Sequence, residues 1–411
     1  MFKRVVKNSV FLSGSQIISR LIGFAYFIFL ARFLGVEKFG IYSFTLSFVY
    51  NFIPVADFGI ERLVLIDLAR EPDKAKEYMS RLFPLRFFLA LATYLIILVL
   101  GLILGVGAKQ IFYLSIFGLA IVPYNITFLV TSYLNSKEKM VYASIANISL
   151  ILLTALFGLT LAWLNLDLAW ILTAYPLANL LLMVVFFASL RREIPVGFNI
   201  DWGFWKNVLL KCWTFAALTI LAVFYLRMSV ILVNFILGSV ATGLYSSAFK
   251  FIEAGILIPQ SLALALFPVS SKLFVQDKVR LGKVYLKGLL ILFALGSLAT
   301  VVFNLFSRNI INLSYGRDYF TAFPVLSLVS FSLVLFFMNA LAANIILNSD
   351  KVKTYLLLNF SNLLVLIFSC LILIPKYNLR GAAYSVLIAE GFGFIINNLL
   401  VYALLKEKKD E

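Results

Sequence analysis

The stretch SRLIGFAYFIFLARFLGVEKFGIYSF, residues 19–44, decides the fold. It is a long apolar run that contains Arg20 and Arg32 and leads into a turn with two glycines. A charged side chain within a membrane helix costs roughly 2.5–3.5 kcal/mol on insertion scales, so it almost always faces a helix bundle or a water-filled cavity. The stretch therefore predicts a membrane-spanning helix that carries a functional cation.

The composition extends this prediction to the whole chain. Of 411 residues, 63% are hydrophobic and 13% charged, and the mean hydropathy is +1.01. Globular proteins have about 45–50% apolar and about 25% charged residues. The net charge of +16 does not indicate nucleic acid, because the basic residues lie in short connections between apolar runs, where they face anionic lipid.

The histidine and cysteine content limits the reactions and metal sites that the protein can have. The sequence has no histidine, which removes His-based catalysis, proton relays and metal ligands. Its two cysteines, Cys212 and Cys370, fall in different apolar runs and form neither a disulfide framework nor a metal site. No cofactor is expected.

Apolar runs of about 20 residues mark membrane spans. The sequence predicts twelve: 9–34, 41–66, 83–106, 111–134, 141–164, 168–190, 208–236, 241–270, 284–307, 320–347, 353–374 and 380–405. With the N-terminus inside, 24 Lys and Arg residues fall in inner segments and six in outer ones. This bias predicts a multi-pass protein of a prokaryotic cell (inner) membrane with both termini in the cytoplasm.

The opening stretch has a second copy. FLGVEKFGIYSF, residues 33–44, matches ILGSVATGLYSS, residues 236–247, at an offset of 203. YLNSKEK, residues 133–139, resembles ILNSDKV, residues 346–352, and both fall at the inner turn between the fourth and fifth predicted spans of a half. The expected fold is all-α, with two six-helix bundles (residues 1–198 and 199–411) related by a parallel pseudo-two-fold repeat.

The charged residues inside the predicted spans are few and concentrated at the start of each half. Arg20 and Arg227 fall four residues apart after the offset is applied, which is about one helical turn. An anionic ligand such as a pyrophosphate suits a cavity lined by such cations. The candidate substrate-binding residues are Arg20, Arg62, Arg227 and Lys250. Structural ion pairing is the alternative, most plainly for Lys250 and Glu253, which are three residues apart.

The intramembrane acids are candidates for coupling to H⁺ or Na⁺. They are Asp57, Glu61, Glu253 and Glu390. Pro54 and Gly59 predict a break in the second span near Asp57. Pro259 and Pro268 predict breaks in the eighth span and Pro123 one in the fourth, because proline removes a backbone hydrogen bond. Between the halves, Trp202 and Trp205 suggest a short interfacial helix on the inner leaflet.

These motifs resemble those of a known family. The stretch at residues 19–44, VADFGIERLVLIDLAR at 55–70 and PQSLALALFPVSSKL at 259–273 are similar to segments of polysaccharide flippases, which export O-antigen and exopolysaccharide repeat units. These belong to the multidrug/oligosaccharidyl-lipid/polysaccharide exporter superfamily. The resemblance implies two six-helix bundles, alternating access and an undecaprenyl-pyrophosphate-linked oligosaccharide as substrate.

The lipid II flippases of that superfamily share only part of the pattern. Ser19, Arg20 and Gly23 match it, and so do Phe24, Ala25, Ala31, Arg32 and Gly35. The Arg-Asp pair that those flippases carry next is replaced here by Tyr26 and Phe27. This departure argues against lipid II as substrate, while the match of Arg20 supports a cavity cation.

The sequence thus predicts a non-enzymatic transporter that flips a lipid-linked oligosaccharide between leaflets. The expected partners are this substrate, membrane lipids, a polysaccharide polymerase and glycosyltransferases. A multidrug or cation antiporter of the same fold is the main alternative, although it favours an acidic cavity. A multi-span glycosyltransferase or polymerase fits less well, since the predicted outer connections are too short to hold a catalytic site.

Overall fold

The computed structural model describes residues 2–190, 193–195, 197–349 and 351–406. The side chains of residues 2–13 and of residue 264 lie outside this description. Several basic residues that support the predicted orientation therefore also lie outside it, namely Lys3, Arg4, Lys7, Arg191, Arg192, Lys408 and Lys409.

The described residues form fifteen α-helices and two short 3-10 helices, at Pro72–Lys74 and Arg317–Ala322. The α-helices are α1 (Phe2–Asp57), α2 (Ile60–Arg70), α3 (Ala75–Ile103), α4 (Ala108–Gly118), α5 (Ile121–Ser136), α6 (Met140–Trp163), α7 (Leu168–Ser189), α8 (Trp202–Leu237), α9 (Ser239–Gly255), α10 (Leu257–Gln276), α11 (Lys278–Tyr315), α12 (Phe323–Ser330), α13 (Ser332–Ile346), α14 (Val352–Tyr377) and α15 (Leu379–Lys406). The all-α fold class expected from the sequence is confirmed.

The number of membrane spans differs from the twelve predicted. Over the described residues, nine helical stretches are long and apolar enough to cross a membrane, or up to eleven if two bent pairs each count as one span. The largest stretch, Gly14–Arg70, has 57 residues, about 85 Å at 1.5 Å per residue, against a hydrocarbon core of roughly 30 Å. It contains the first two predicted spans without an intervening loop, which accounts for the lower count.

One residue replaces that missing loop. Gly35 interrupts α1 with φ 69° and ψ 173°. Its repeat counterpart Gly238, between α8 and α9, has φ 83° and ψ −174°. This backbone region is essentially open to glycine alone, so the two matched glycines share an unusual backbone conformation.

The two copies of the turn also contact each other reciprocally. A Cβ on Gly40 would lie 1.8 Å from the carbonyl oxygen of Ser239, and a Cβ on Gly243 would lie 2.1 Å from that of Val36. The offset of 203 turns the first contact into the second. Such exchange of equivalent partners is the signature of a two-fold relation, and both contacts require glycine because backbone meets backbone.

The helix breaks fall near the predicted prolines and glycine. α1 ends at Asp57, and Phe58 and Gly59 both have positive φ before α2 begins. Residues 119 and 120 separate α4 from α5, and Pro123 is the third residue of α5. The chain bends by 43° between residues 263 and 265. Pro268 lies one turn further on, and a proline disfavours regular helix geometry in the turn before it.

The chain divides into two compact units. The first contains Met1–Leu34 and Phe44–Val223, and the second contains Gly35–Ser43 and Phe224–Glu411. The lobes of residues 1–198 and 199–411 stay a prediction.

The connection before α8 is attached to the first unit. The indole Nε1 of Trp205 donates to the carbonyl oxygen of Arg81 (2.9 Å), and the N–H of Asn199 donates to that of Ser80 (2.9 Å). Trp205 is buried, whereas Trp202 is 75% exposed. The expected separate interfacial helix is wrong, because both tryptophans belong to the first turn of the continuous 36-residue helix α8.

A surface ion pair joins two other connections of this unit. Lys139, which precedes α6, pairs with Glu193, which follows α7. The hydrogen bond that Lys139 donates to the Glu193 carboxylate raises the pKa of Lys139 above its usual value. Both side chains are substantially exposed, so the pair contributes little to stability.

Candidate functional site

The first polar cluster forms at the break between α1 and α2. Asp57 occupies the last position of α1, where its carboxylate accepts hydrogen bonds from the backbone N–H groups of Gly59 (2.9 Å) and Glu61 (3.2 Å). The left-handed conformation of Phe58 and Gly59 turns these N–H groups back toward the acid. The break predicted from Pro54 and Gly59 thus holds one of the candidate coupling acids in a fixed position.

Arg86 of α3 is the main partner of this acid. Its Nη1 donates to Asp57 Oδ1 (2.5 Å), to Asn125 Oδ1 (3.0 Å) and to the carbonyl oxygen of Ala56 (3.5 Å). The arginine is 1% exposed, and its Nε has no hydrogen-bond partner within the described ranges. A charge so deeply buried is stable only when paired, so Arg86 and Asp57 act as one unit.

Arg86 was counted among the 24 basic residues of the inner segments and is not among the candidate site residues predicted from the sequence. The signal was present, since Arg86 is the fourth residue of the span predicted at 83–106. The candidate cation predicted in this region was Arg62, which follows Glu61 directly in the sequence. In the structure Arg62 is exposed and its guanidinium lies 4.3 Å from the ring centroid of Phe215, where a cation–π contact forms.

Glu61 completes this cluster. Its side chain is exposed on α2 and forms a hydrogen bond with the hydroxyl of Ser132 on α5. It also interacts electrostatically with Asp57 and Arg86. The cluster thus combines two carboxylates with one guanidinium, so it is suited to accept one further positive charge.

The second polar cluster lies in the second unit and joins α8 to α9. Arg227 Nη1 lies 2.7 Å from Glu253 Oε1, and Lys250 Nζ lies 3.0 Å from Glu253 Oε2. About one fifth of each side chain is exposed. Two cations share one carboxylate, which leaves the cluster with a net positive charge that an anion can approach.

This arrangement brings together three predicted site residues. The pairing of Lys250 with Glu253 is the one that their spacing suggested. Arg227 has no acid one turn away along α8, and it receives its partner from the neighbouring helix. Arg20, its expected counterpart, is exposed on α1 and forms no ion pair over the described part of the chain.

The third polar cluster surrounds Glu390 of α15. This carboxylate is 3% exposed. It accepts from the hydroxyl of Tyr225 (2.6 Å) and from the side-chain amide of Asn339 (2.8 Å). No basic side chain pairs with it in the described ranges, so both of its partners are neutral.

Such an environment gives Glu390 a distinct chemical capacity. A carboxylate that is removed from water and has no counterion is costly in its charged form. Binding of a proton or of a small cation relieves that cost. Asn339 Oδ1, an acceptor on the amide that already contacts Glu390, is buried and without a hydrogen-bond partner in the structure described, and it adds an oxygen that such a cation could use.

A multivalent metal site is absent from the described residues. No three Asp, Glu, Cys or His side chains lie close enough together there to hold a metal ion. The acids instead occur as one pair and two single residues, in three separate clusters.

Comparison with known proteins gives a consistent answer. The family model of the polysaccharide biosynthesis proteins matches residues 5–274. The capsular polysaccharide biosynthesis protein CapF of Staphylococcus aureus is 21% identical over 411 residues, covering 94% of this chain and 96% of that protein. A protein of Shigella flexneri described as a putative O-antigen transporter is 24% identical over 401 residues, covering 93% and 94%.

Solved structures share the fold. An inward-facing multidrug resistance MATE family transporter of the MOP superfamily superimposes with a TM-score of 0.74 at 15% identity, over 98% of this chain and 99% of that one. The lipid II flippase MurJ in an inward closed conformation gives a TM-score of 0.74 at 17% identity, over 96% and 87%.

The matched family is described as polysaccharide biosynthesis proteins, and one of the two relatives is described as an O-antigen transporter. The resemblance found in the sequence motifs is confirmed. The chain belongs to the polysaccharide biosynthesis protein family and has the fold of MOP-superfamily transporters.

Proposed function

We propose that this protein flips an undecaprenyl-pyrophosphate-linked oligosaccharide from the inner to the outer leaflet of a prokaryotic cell membrane. The observation that carries this proposal is the cluster of Arg227, Lys250 and Glu253, which retains net positive charge between apolar helices. The relatives are described as a capsular polysaccharide biosynthesis protein and an O-antigen transporter, and both descriptions point to the same substrate class.

The pyrophosphate is the part of the substrate that this cluster recognises. Arginine binds phosphate oxygens through two parallel hydrogen bonds, and lysine contributes a mobile point charge. Glu253 holds both cations in place before the substrate arrives, which reduces the cost of burying them unpaired. Arg20 and Arg62, both exposed on their helices, are the candidate substrate-binding cations of the first unit.

The transport cycle is alternating access between two lobes of residues 1–198 and 199–411. The shared backbone conformation of Gly35 and Gly238 and the reciprocal contacts of Gly40 and Gly243 support a pseudo-two-fold relation. In repeat-built transporters, rigid-body rocking of such halves exposes the substrate site alternately to each side.

The ion that drives the cycle binds to the acids, and Glu390 is the leading candidate. Its two partners are neutral, so a proton or Na⁺ meets no competing basic group. Asp57 and Glu61 form a second candidate site beside Arg86, whereas Glu253 is already shared by two cations.

The protein adopts an orientation with both termini in the cytoplasm. It receives its substrate from membrane glycosyltransferases on the inner side and passes it to a polysaccharide polymerase on the outer side.

The test is export of the lipid-linked oligosaccharide in a strain whose own copy of the protein is deleted. We expect Arg20→Glu and Arg227→Glu each to abolish export while the variants remain inserted at normal levels. Arg317→Glu, a charge reversal of an exposed residue outside the three clusters, is the matched control and should export normally. Normal export by both site variants would refute the cationic site.

A multidrug or cation antiporter predicts a different outcome. The deletion strain would then become sensitive to cationic drugs and keep its surface polysaccharide. Ion coupling is tested separately with Glu390→Gln, which should abolish the dependence of export on a pH or Na⁺ gradient, whereas Glu71→Gln in an exposed connection should not.

A further inference from the structure

A separate cavity of about 520 Å³ lies within the second unit, away from the three polar clusters. It is formed by the last third of α11, the first turns of α12 and the start of α15. Its polar lining includes Asn304, Ser307, Arg308, Ser327, Arg380 and Tyr384.

Two arginines give this cavity its charge. Arg308 and Arg380 are exposed, and neither forms an ion pair with an acid anywhere in the described ranges. The guanidinium of Arg308 stands 4.8 Å from the ring centroid of Phe323, which orients it. Arg380 is the second residue of α15, a 28-residue helix whose N-terminus adds partial positive charge.

The floor of the cavity is held rigid by hydrogen bonds. Asn304 Nδ2 donates to Ser330 Oγ (2.9 Å) and to the carbonyl oxygen of Thr300 (3.0 Å), while the hydroxyl of Ser327 donates to Asn304 Oδ1. This network links α11 to α12 and fixes one wall of the cavity. The site is therefore built into the helix packing and is not a product of loose side chains.

The surroundings of the cavity are apolar. Leu305 and Leu328 contribute to its lining, and Leu305 is 72% exposed. Arg308 directly follows the predicted ninth span and Arg380 opens the twelfth, so both lie where hydrocarbon gives way to headgroups. The cavity thus offers two guanidinium groups to a charged head and an apolar helix face to the chain attached to it.

We propose that this cavity binds the phosphodiester headgroup of an anionic membrane lipid. The planar guanidinium groups of two arginines can each form two hydrogen bonds with phosphate oxygens, whereas a lysine ammonium acts as a point charge. The exposed Leu305 favours a phosphate that carries an acyl chain over a free phosphate ion. The proposal is independent of the transported substrate, because none of its residues belongs to the three clusters.

The test uses the purified full-length protein in detergent and a phosphatidylglycerol with a photoreactive headgroup. Cross-linking followed by peptide mapping should label peptides that contain Ser327 or Tyr384. We expect Arg308→Gln/Arg380→Gln to weaken this labelling at least tenfold, since each lost contact to a charged group is worth about a factor of ten. Arg317→Gln removes the same charge outside the cavity and should leave labelling unchanged.

Two competitors identify the ligand. Unlabelled phosphatidylglycerol should displace the probe at concentrations where neither diacylglycerol nor glycerol phosphate does. If glycerol phosphate competes equally well, the site takes a free phosphate and the lipid assignment is wrong. Equal labelling of the double variant, with an unchanged melting temperature, would overturn the site itself.

Discussion

Replacing Gly40 or Gly243 by alanine tests the reciprocal contact between the two copies of the repeat. The Cβ of Gly40→Ala would lie 1.8 Å from the carbonyl oxygen of Ser239, and that of Gly243→Ala 2.1 Å from that of Val36. Real Cβ atoms essentially never approach another atom more closely than 3.0 Å. The two backbones must therefore separate by about 1 Å, or the helices must shift along each other.

The cost of that shift can be bounded. Overpacking of a well-packed interior typically costs about 1–3 kcal/mol. The clashing atoms here belong to the main chain, so no side chain can rotate away, and we expect about 3 kcal/mol for either variant. The double variant should cost less than the sum of the two, because one separation relieves both contacts.

The assay is thermal unfolding of the purified variants in detergent, followed by intrinsic fluorescence. Gly14→Ala is the matched control, because no atom lies within 4 Å of the added Cβ. The control should be stabilised by up to about 1 kcal/mol through helix propensity. If Gly40→Ala and Gly243→Ala have the same melting temperature as this control, the close backbone contact is not present.

Three further variants test other parts of the structure. Arg86→Met leaves the half-buried Asp57 without its counterion, so it should lower stability by about 3 kcal/mol. Arg86→Met/Asp57→Leu should recover much of the loss, and lack of recovery would contradict the pairing. Gly35→Ala places a side chain at φ 69° and should cost roughly 1–3 kcal/mol, seen as a lower melting temperature than wild type. Trp205→Phe removes the hydrogen bond to the Arg81 carbonyl and should cost about 1 kcal/mol, whereas Trp202→Phe at an exposed position should change the melting temperature little.

The sequence was most informative where the chemistry of a single residue type decides the backbone. Only glycine fits at 35 and 238, so the two copies of the motif could be aligned and their common turn predicted. The break near Gly59 was predicted from Pro54 and Gly59 together. The number of spans was harder to predict. Hydropathy separates the first two spans by a loop, whereas in the structure only Gly35 interrupts the helix between them.

The site residues depended on contacts between helices, which local spacing does not report. Lys250 and Glu253 were predictable as a pair because they lie one turn apart on α9. Arg227 pairs with Glu253 across a helix interface. Glu390 accepts a hydrogen bond from Tyr225, which is 165 residues away in the sequence. Arg86 was assigned to a connection by its position after a basic segment, although burial against α1 and α5 makes it part of the core.

The most direct test of the proposed function is flipping by the purified protein in sealed liposomes. A fluorescent undecaprenyl-pyrophosphate-linked oligosaccharide is reconstituted with the protein, and its arrival in the outer leaflet is followed by a membrane-impermeant quencher. We expect translocation well above that of protein-free liposomes and its loss in Arg227→Gln, with Arg317→Gln equal to wild type. Translocation that does not exceed the protein-free rate, or that is unchanged in Arg227→Gln, would contradict a pyrophosphate-binding flippase.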